Sequence, residues 1–346
     1  MQTNRQWLLA RRPRGPLVPE DFRWAEGPAP QPEDGDVLVR NLYLSCDPTQ
    51  RGWAASDTYL PKVKLGEVMR SFAAAEVVAS RHDRFREGDL VQGLFGWQDF
   101  AVARPGTASA PAPLPTGVPI ETAMSALGLT GITAYFGLLE VGRPRAGETV
   151  VVSGAAGATG SVAGQIARIL GCRVVGVAGG PEKCRMLVEE LGFHAAVDYR
   201  AEKVAKRLRE TCPDGIDVFF DNVGGEVLDA ALANLGRHGR VVLCGAIARY
   251  NDMVAEPGPR NYLSLIVNRG RMEGFIVLDY MPRAAEAVAA LGGWLREGKL
   301  KDRVDVVEGL ENAPAALARV FTGENRGKQL VRIAEPSPRA AGRTTG

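Results

Sequence analysis

The sequence predicts an α/β protein built from two parts, a β-rich N-terminal part and a later part with a parallel sheet covered by helices. The chain has 346 residues, which suggests two domains at about 150 residues each. Short β runs separated by turns fill the first hundred residues, whereas strands and helices alternate after residue 119. A proline-rich stretch separates the two patterns.

The N-terminal part is predicted from runs of alternating apolar residues and from turns such as Glu33–Asp36. Its strands are predicted at 37–44, 75–78, 87–96 and 98–103. Many short strands with glycine turns are typical of a small barrel or sandwich. Residues 103–119 contain five prolines, which exclude a helix or a central strand, so this stretch is predicted to be the linker out of the β part.

The later part is predicted to alternate strands with helices. Strands are predicted at 149–152, 173–178, 216–220, 240–244 and 273–277. Helices are predicted at 161–171, 181–192, 226–235, 282–298 and 313–321. Because strands and helices follow one another in turn, we expect a doubly wound parallel sheet with helices on both faces.

The composition argues against nucleic acids and membranes as partners of this chain. Its 42 basic and 40 acidic side chains give a net charge of +2, which provides little attraction to nucleic acid or an anionic membrane. Two uncharged stretches, 122–139 and 149–167, approach the length of a membrane span, but both are rich in Gly, Ser and Thr. They are predicted to be a buried helix and a strand–turn–helix instead.

The cysteines and histidines predict neither a metal site nor a disulfide framework. The five cysteines contain no CxxC pair, and the three histidines are too scattered for HExxH. A zinc site, a disulfide scaffold and a Ser-His-Asp hydrolase are therefore all disfavoured. The N-terminus has no apolar run long enough for a signal peptide, so a reduced, cytoplasmic compartment is expected.

A glycine-rich turn over 150–160 is the strongest motif. Ala155, Gly157 and Gly160 occupy the three slots of the GxGxxG pattern, between a predicted strand and a predicted helix. Gly157 would let a pyrophosphate approach the backbone, and Gly160 would let the helix pack close to the strand. The N-terminus of the helix would add free N–H groups for phosphate. The motif therefore predicts a dinucleotide site.

The end of the next strand predicts which dinucleotide binds. An acidic residue there would hold the ribose hydroxyls of NAD, but Gly179 and Gly180 occupy that place and Lys183 follows. Because a lysine attracts a 2′-phosphate that an acid would repel, the sequence favours NADP(H). Taken alone, Lys183 could also be a solvated helix residue.

Further motifs run in order along the chain. They are LSCDP (44–48) with RG (51–52), LGEVM (65–69), GW (96–97), GITAYFGLL (131–139), AAGATG (155–160), FDNVGG (220–225), CGAI (244–247) with YN (250–251), RMEGF (271–275) and ENRGK (324–328). On these motifs the chain resembles the zinc-independent medium-chain dehydrogenase/reductases. Within them it is similar to the group of prostaglandin reductase/leukotriene B4 12-hydroxydehydrogenase, plant alkenal double-bond reductases and bacterial curcumin reductase.

The resemblance implies a layout in which one domain interrupts the other. A GroES-like β-barrel domain for substrate would cover 1–126 and 305–335, and a Rossmann domain for NADP(H) would cover 127–304. Residues 336–346 are expected to be a disordered tail. The resemblance also implies a homodimer.

The resemblance also implies which residues of this chain form the site. It places Gly157, Ala158, Thr159 and Gly160 at the pyrophosphate, and Lys183 and Tyr199 near the 2′-phosphate. It gives Asn222, which follows the fourth strand of the sheet, as a further cofactor residue. It places Cys244, Gly245, Ala246, Ile247 and Tyr250 toward the nicotinamide, Phe275, Ile276 and Val277 beside the carboxamide, and Asn325 over the cofactor from the returning segment.

The implied reaction is NADPH-dependent reduction of the C=C bond of an α,β-unsaturated ketone or aldehyde. Hydride reaches the β-carbon, and an enolate forms that needs a neutral hydrogen-bond donor. Tyr250 is the candidate because a phenol of pKa about 10 stays protonated at neutral pH, although it could simply pack on the nicotinamide. A quinone oxidoreductase and a non-catalytic NADPH-binding protein remain alternatives; Tyr250, Asn251 and Asn325 favour catalysis over the latter.

The substrate wall is the point at which the sequence departs from its relatives. Many of them have Tyr-Met after the Asp-Pro pair, whereas Thr49 and Gln50 follow it here. Thr49, Tyr59 and Trp97 are predicted to line the substrate pocket, with Trp53 as another aromatic that could replace the lost tyrosine. Trp97 could equally be a core residue.

Overall fold

The computed structural model describes residues 2–251 and 258–340. The chain divides into two compact units, Met1–Met124 with Val304–Gly346, and Ser125–Arg303. We call them the first and the second unit. The domain limits expected from sequence, and their assignment to substrate and cofactor, stay predictions.

The strands and helices are numbered in chain order. The strands are β1 Thr3–Leu9, β2 Phe22–Pro28, β3 Val37–Ser45, β4 Ala73–Ser80, β5 Leu90–Gly93, β6 Phe100–Ala103, β7 Ala112–Pro113, β8 Thr149–Ser153, β9 Arg173–Ala178, β10 Ala195–Asp198, β11 Ile216–Asp221, β12 Leu235–Leu243, β13 Arg271–Gly274, β14 Val304–Glu308 and β15 Lys328–Arg332. The helices are α1 Thr49–Ala55, α2 Ile120–Met124, α3 Leu129–Phe136, α4 Ala158–Ile169, α5 Pro181–Arg185, α6 Val204–Thr211, α7 Gly225–Leu232, α8 Ile247–Tyr250, α9 Leu263–Asn268, α10 Ala284–Arg296 and α11 Ala313–Thr322. Short 3-10 segments (Pro19–Asp21, Val277–Arg283, Leu310–Asn312) and π segments (Gly137–Gly142, Met186–Glu190) connect some of them.

The first unit is organised around a sheet with the order β14-β15-β3-β4-β5-β7, in which β6 also pairs with β3. All of its pairs are antiparallel except β14 with β15. Strand β3 is almost wholly buried because it has neighbours on both edges and side chains packed on both faces. Strand β15 pairs with it in the register Val331 to Leu44, so the end of the chain completes the sheet that its beginning starts.

The proline-rich stretch belongs partly to this sheet. Ala112 and Pro113 form β7, which pairs with β5 at the edge, and Leu114 is buried. An edge position tolerates proline because its missing N–H is not needed for a second neighbour. The stretch therefore runs along the first unit before the chain leaves it, instead of leading directly out.

The second unit contains a six-stranded parallel sheet in the order β10-β9-β8-β11-β12-β13. From β8 the chain builds outward to β10, then crosses to β11 and builds in the other direction. The carboxyl ends of β8 and β11 therefore lie at a topological switch point, where open α/β sheets bind their ligands. Strand β9 begins and ends at the residues predicted, whereas β10, α6 and α9 lie in segments for which no element was predicted.

The end of the chain, as far as it is described, packs on the first unit. The Ser337 amide donates to Glu76 Oε2 at 3.0 Å, the Ser337 hydroxyl also donates to this carboxylate, and Ala340 is fully buried. A disordered tail was expected from 336, whereas Ser337 and Ala340 pack on the first unit, with Ser337 joining Arg40 as a donor to the buried Glu76 of β4. Residues 341–346 lie outside the described part of the chain.

None of the helices in the described ranges combines the length and apolarity required for a bilayer crossing.

Candidate active site

Strands β8 and β11 are joined at their carboxyl ends by hydrogen bonds between polar residues. The Ser153 hydroxyl donates to Asp221 Oδ1 at 2.7 Å and accepts from the Asn222 amide at 2.8 Å. The Asn222 side chain donates to the Ser153 carbonyl at 2.7 Å. Asn222, predicted from the family resemblance, is therefore fixed at the switch point of the sheet.

Asp221 holds the turn that follows β11. It is fully buried, and its carboxylate accepts from the Ser153 hydroxyl and from the amides of Val223 and Gly224, each at 3.0 Å. Burial raises the pKa of this carboxyl, while the three donors oppose the shift. Sequence reasoning missed Ser153 and Asp221 as a pair, although each is a polar residue that directly follows a run of buried apolar residues.

The glycine-rich turn connects β8 to α4 through closely packed backbone. Gly154 has φ +57°, and a Cβ on Gly160 would lie 2.4 Å from the Gly154 carbonyl oxygen. Gly157 is the N-cap of α4, so the amides of Ala158, Thr159 and Gly160 have no acceptor within the helix. Backbone donors over a helix N-terminus suit a pyrophosphate, and the residues present fit the dinucleotide that the sequence predicted.

A basic and aromatic pair covers the carboxyl end of β9. Strand β10 is parallel to β9, with Asp198 opposite Ala178, and this places Tyr199 and Arg200 over Gly179. A Cβ on Gly179 would lie 2.8 Å from the Tyr199 ring and 2.9 Å from Arg200 Nε. The Arg200 guanidinium lies 5.9 Å from the centroid of the Tyr199 ring.

This pair occupies the place where an acidic residue would select NAD. Lys183 lies shortly after Gly179 in the sequence, on α5. Arg200 was missed by sequence reasoning, and the only signal was its position directly after Tyr199. Cationic groups around a glycine at the end of the second strand suit a 2′-phosphate.

The loop after β12 is held against the turn after β11. The amides of Cys244 and Gly245 donate to the Asp221 carbonyl at 2.9 and 3.1 Å, and the Ile247 amide donates to the Asn222 carbonyl at 3.2 Å. The Tyr250 hydroxyl accepts from the Ala246 amide at 3.3 Å. The structure therefore brings the residues predicted for the nicotinamide side, 244–247 and Tyr250, to the same edge of the sheet as Asn222.

Cys244 is a protonated thiol and therefore a poor nucleophile. Burial raises the pKa of its thiol to about 12, and the nearby Asp221 carboxylate acts in the same direction. The thiol stays protonated at neutral pH, so this edge of the sheet offers a phenol and backbone groups rather than a thiolate.

The segment after β13 carries Phe275, Ile276 and Val277. The Phe275 ring packs against the backbone of Gly137, where a Cβ would lie 2.3 Å from it, and edge-on to Tyr280 at 6.2 Å between centroids. Ile276 is exposed at the surface of the unit. The predicted contact of these three residues with the carboxamide stays a prediction.

In the first unit, two of the three predicted pocket residues lie together. Thr49 Oγ1 and the Tyr59 hydroxyl are 2.8 Å apart, and Tyr59 is 46% exposed. Trp97 is different, because it has no exposed surface and packs in the core against Phe22, with ring centroids 5.0 Å apart. A side chain without accessible surface cannot contact a substrate, so the structure places Trp97 in the core and the pocket prediction for it is corrected.

Asn325 lies in the first unit, between α11 and β15. It is largely buried, and its side-chain amide donates to the Gly327 carbonyl at 2.8 Å. This hydrogen bond fixes the turn before β15. Its predicted contact with the cofactor stays a prediction.

Comparison with known proteins identifies the family. A family model described as the N-terminal domain of oxidoreductase matches residues 5–110, and one described as zinc-binding dehydrogenase matches residues 158–291. The NADPH-dependent curcumin reductase of Escherichia coli (strain K12) is 41% identical over 339 residues, covering 96% of this chain and 98% of that protein. Prostaglandin reductase 1 of Mus musculus is 39% identical over 332 residues, covering 95% and 98%. The chain belongs to the medium-chain dehydrogenase/reductases.

Solved structures place this medium-chain dehydrogenase/reductase in the same group. The crystal structure of CurA from Vibrio vulnificus matches with a TM-score of 0.91 at 38% identity, covering 96% of this chain and 100% of that one. CurA in complex with NADPH matches with a TM-score of 0.90 at 39% identity. The predicted fold class, a GroES-like domain interrupted by a Rossmann domain, is confirmed, and so is the resemblance to the zinc-independent curcumin, alkenal and prostaglandin reductases.

The described residues of this family member contain no group of three or more His, Cys, Asp or Glu side chains that could hold a metal ion.

Proposed function

We propose that the protein is an NADPH-dependent reductase of the C=C bond of α,β-unsaturated ketones and aldehydes. The observation that carries the proposal is the Tyr250 hydroxyl, bonded to the Ala246 amide in the loop after β12 at the carboxyl edge of the sheet. The glycine turn and the Arg200 guanidinium beside Gly179 support NADPH as the cofactor. Relatives named as curcumin, 2-alkenal and prostaglandin reductases support the substrate class.

The residues of the chain have distinct roles in this proposal. The amides of 158–160 hold the pyrophosphate, Lys183, Tyr199 and Arg200 hold the 2′-phosphate, and the loop after β12 orients the nicotinamide. Bound NADPH supplies the hydride that reduces the β-carbon of the substrate.

Tyr250 stabilises the charge that develops during the reduction. Negative charge builds on the carbonyl oxygen, and a positioned donor there lowers the barrier. A phenol keeps its proton at neutral pH, and accepting from the Ala246 amide strengthens it as a donor. The α-carbon then takes a proton from solvent.

The test of this function is a substrate panel. We expect NADPH oxidation with 2-alkenals and enones, and the saturated carbonyl as the product identified by mass spectrometry. Tyr250→Phe should lower kcat about 100-fold, because one oxyanion donor is worth that much, with the NADPH KM changed less than about threefold. Tyr262→Phe removes the same hydroxyl from an exposed residue and should leave kcat unchanged.

Two results would contradict the proposal. An allylic alcohol as product, or turnover of quinones alone, would exclude C=C reduction of enones and favour the quinone oxidoreductase. An unchanged kcat in Tyr250→Phe would show that Tyr250 packs on the nicotinamide without stabilising the oxyanion.

Cofactor preference provides a separate prediction. Lys183→Ala should raise the KM for NADPH about tenfold and leave that for NADH unchanged, because only NADPH carries the 2′-phosphate. The control is Arg185→Ala, which removes an exposed cation two residues further along α5, where side chains face away from those at 183. Equal effects on both cofactors would mean that Lys183 supports the fold of this loop and does not bind the phosphate.

We also propose that the chain forms a homodimer through the β13 edge of the second unit. In the described part of the chain β13 has a neighbour on one side only, and four residues around α9, namely Tyr262, Leu263, Ile266 and Val267, are more than half exposed. Large exposed apolar groups beside an open sheet edge favour association. Sedimentation velocity that found only monomers at micromolar concentration would contradict the dimer. A cytoplasmic location, expected from the cysteines, stays a prediction.

A further inference from the structure

A carboxylate joins the turns that follow β9 and β10 in the second unit. Asp198, the last residue of β10, lies opposite Ala178, the last residue of β9. Asp198 Oδ1 accepts a hydrogen bond from the Gly180 amide at 2.8 Å and another from the Arg200 amide at 3.0 Å. A single oxygen atom therefore ties the backbone after β9 to the backbone after β10.

Asp198 is itself held by the residues that follow it. Its backbone amide donates to Glu202 Oε2 at 2.8 Å, and its carbonyl accepts from the Glu202 amide at 2.9 Å. Glu202 Oε1 lies 2.7 Å from Nε of Arg207, on α6. Because the Asp198 carboxylate is anchored in this way, the positions of the two amides that it binds are fixed as well.

This junction brings two side chains over Gly179. A Cβ on Gly179 would lie 2.8 Å from the Tyr199 hydroxyl and 2.9 Å from Arg200 Nε. Gly180 has φ +92°, a conformation that residues with a Cβ avoid, and its amide points to Asp198. A phenol and a guanidinium thus fill the space in which an acidic side chain would bind the ribose of NAD.

We propose that Asp198 is a positioning residue that sets the preference for NADPH over NADH. Its carboxylate acts through the backbone, holding Tyr199 and Arg200 where the 2′-phosphate binds. This inference rests on the proposed function, which assigns the 2′-phosphate to these two residues and Lys183. Two amide donors stabilise the negative charge of Asp198, so that an acid at this edge of the sheet supports a phosphate site instead of selecting NAD.

Calorimetric titration with NADPH and with NADH, without substrate, tests this role. Asp198→Ala removes the acceptor and should raise the Kd for NADPH about tenfold. The Kd for NADH should change less than about twofold, because NADH carries no 2′-phosphate. Asp198→Asn keeps a side-chain oxygen that accepts both amides, and it should keep the Kd for NADPH within about threefold of the wild-type value.

Gly179→Ala tests the same contact from the other side. The added methyl group should displace the Tyr199 and Arg200 side chains without moving the backbone, since the atoms that it meets belong to flexible side chains. We expect the Kd for NADPH to rise about tenfold. In the Asp198→Ala background these side chains have already lost their position, so adding Gly179→Ala should change that Kd by less than about twofold.

Asp217→Ala is the matched control for the loss of a carboxylate that binds backbone. Asp217 Oδ2 accepts from the Thr149 amide at 2.8 Å, which joins β11 to β8 at the amino end of the same sheet. This variant loses the same kind of hydrogen bond far from the proposed phosphate site. Its ratio of the Kd for NADH to the Kd for NADPH should equal that of the wild type.

Two results would overturn the inference. If Asp198→Ala left the ratio of the two Kd values unchanged, whether or not it lowered the unfolding temperature, Asp198 would stabilise the sheet without setting cofactor preference. If Asp198→Ala and Asp198→Asn both bound NADPH more tightly than the wild type, Asp198 would act by repelling the phosphate.

The titrations also separate this inference from the proposed function. A wild-type protein that binds NADPH but reduces no enone contradicts the proposed function, and the variants still decide the role of Asp198. An unchanged ratio in Asp198→Ala, with enone reduction by the wild type, contradicts the positioning role alone. A wild-type protein that does not bind NADPH contradicts both.

Discussion

Replacing Gly160 by alanine is expected to abolish measurable NADPH binding. The added Cβ would lie 2.4 Å from the oxygen and 2.9 Å from the carbon of the Gly154 carbonyl. Both are backbone atoms, so the clash cannot be relieved by rotating a side chain. Either α4 or the turn after β8 must shift, and the amides that hold the pyrophosphate shift with it.

The expected magnitudes are a loss of NADPH affinity of at least about 100-fold and a loss of about 1–3 kcal/mol in the free energy of unfolding, which is typical of overpacking. Calorimetric titration and urea unfolding measure the two effects. Gly293→Ala is the control, because an ideal Cβ there in α10 meets no atom within 4 Å and alanine favours a helix. Wild-type NADPH affinity in Gly160→Ala would show that this turn does not hold the cofactor.

The second large effect is expected at Lys328, a buried lysine at the start of β15. Its side chain is 2% exposed, and Nζ donates to Asp47 Oδ1 at 2.6 Å and to the Cys46 carbonyl at 3.1 Å. Lys328→Met would leave the Asp47 carboxylate, which is only 13% exposed, without its cation. Removing one partner of a buried ion pair costs about 3–5 kcal/mol, which we expect as the loss in the free energy of unfolding.

Urea unfolding also tests the cause of this loss. The double variant Asp47→Asn/Lys328→Met should recover part of the stability, because it removes the unpaired charge as well. Lys299→Met is the control; Lys299 pairs with Glu297 at 2.7 Å on the surface and should cost less than about 1 kcal/mol. A cost at Lys328 as small as at Lys299 would show that the pair contributes no more than a surface ion pair.

The Lys328 pair also has a consequence for the site. The Asp47 backbone amide donates to Gln50 Oε1 at 2.7 Å, so Asp47 is fixed through both its backbone and its carboxylate. This arrangement sets the start of α1, which carries Thr49 and Trp53.

Local patterns predicted the parts of the fold that depend on neighbours along the chain. Strand β9 was predicted to the residue because a run of buried apolar residues lies between Gly171 and Gly179. The glycine turn was predicted because its spacing is itself local. Strand β10 was missed because Ala195–Asp198 is only four residues long and contains two alanines, which carry little β signal.

The side-chain partnerships could not be predicted, because they join residues far apart in sequence. Ser153 and Asp221 are 68 positions apart, and Arg70 stacks on a tryptophan from a different element. Apolar patterning shows that a residue is apolar but not what packs on it. This is why Trp97 could be a pocket wall or a core residue until its burial was known.

The pairing of β15 with β3 bears on how the protein is made. Cys46 and Lys328 contact each other across 282 positions of chain, so a ribosome must finish nearly the whole protein before β3 gains this neighbour. Until then the end of β3 at Tyr43–Ser45 has no partner on this edge, although β6 already pairs with Val37–Arg40, and an open strand edge is a template for aggregation. All strands of the second unit, in contrast, come from one uninterrupted stretch of the chain. Its sheet can therefore form before β15 of the first unit has been synthesised. Chains cut short before residue 328 would leave the Tyr43–Ser45 end of β3 unpaired permanently and become substrates for chaperones and proteases.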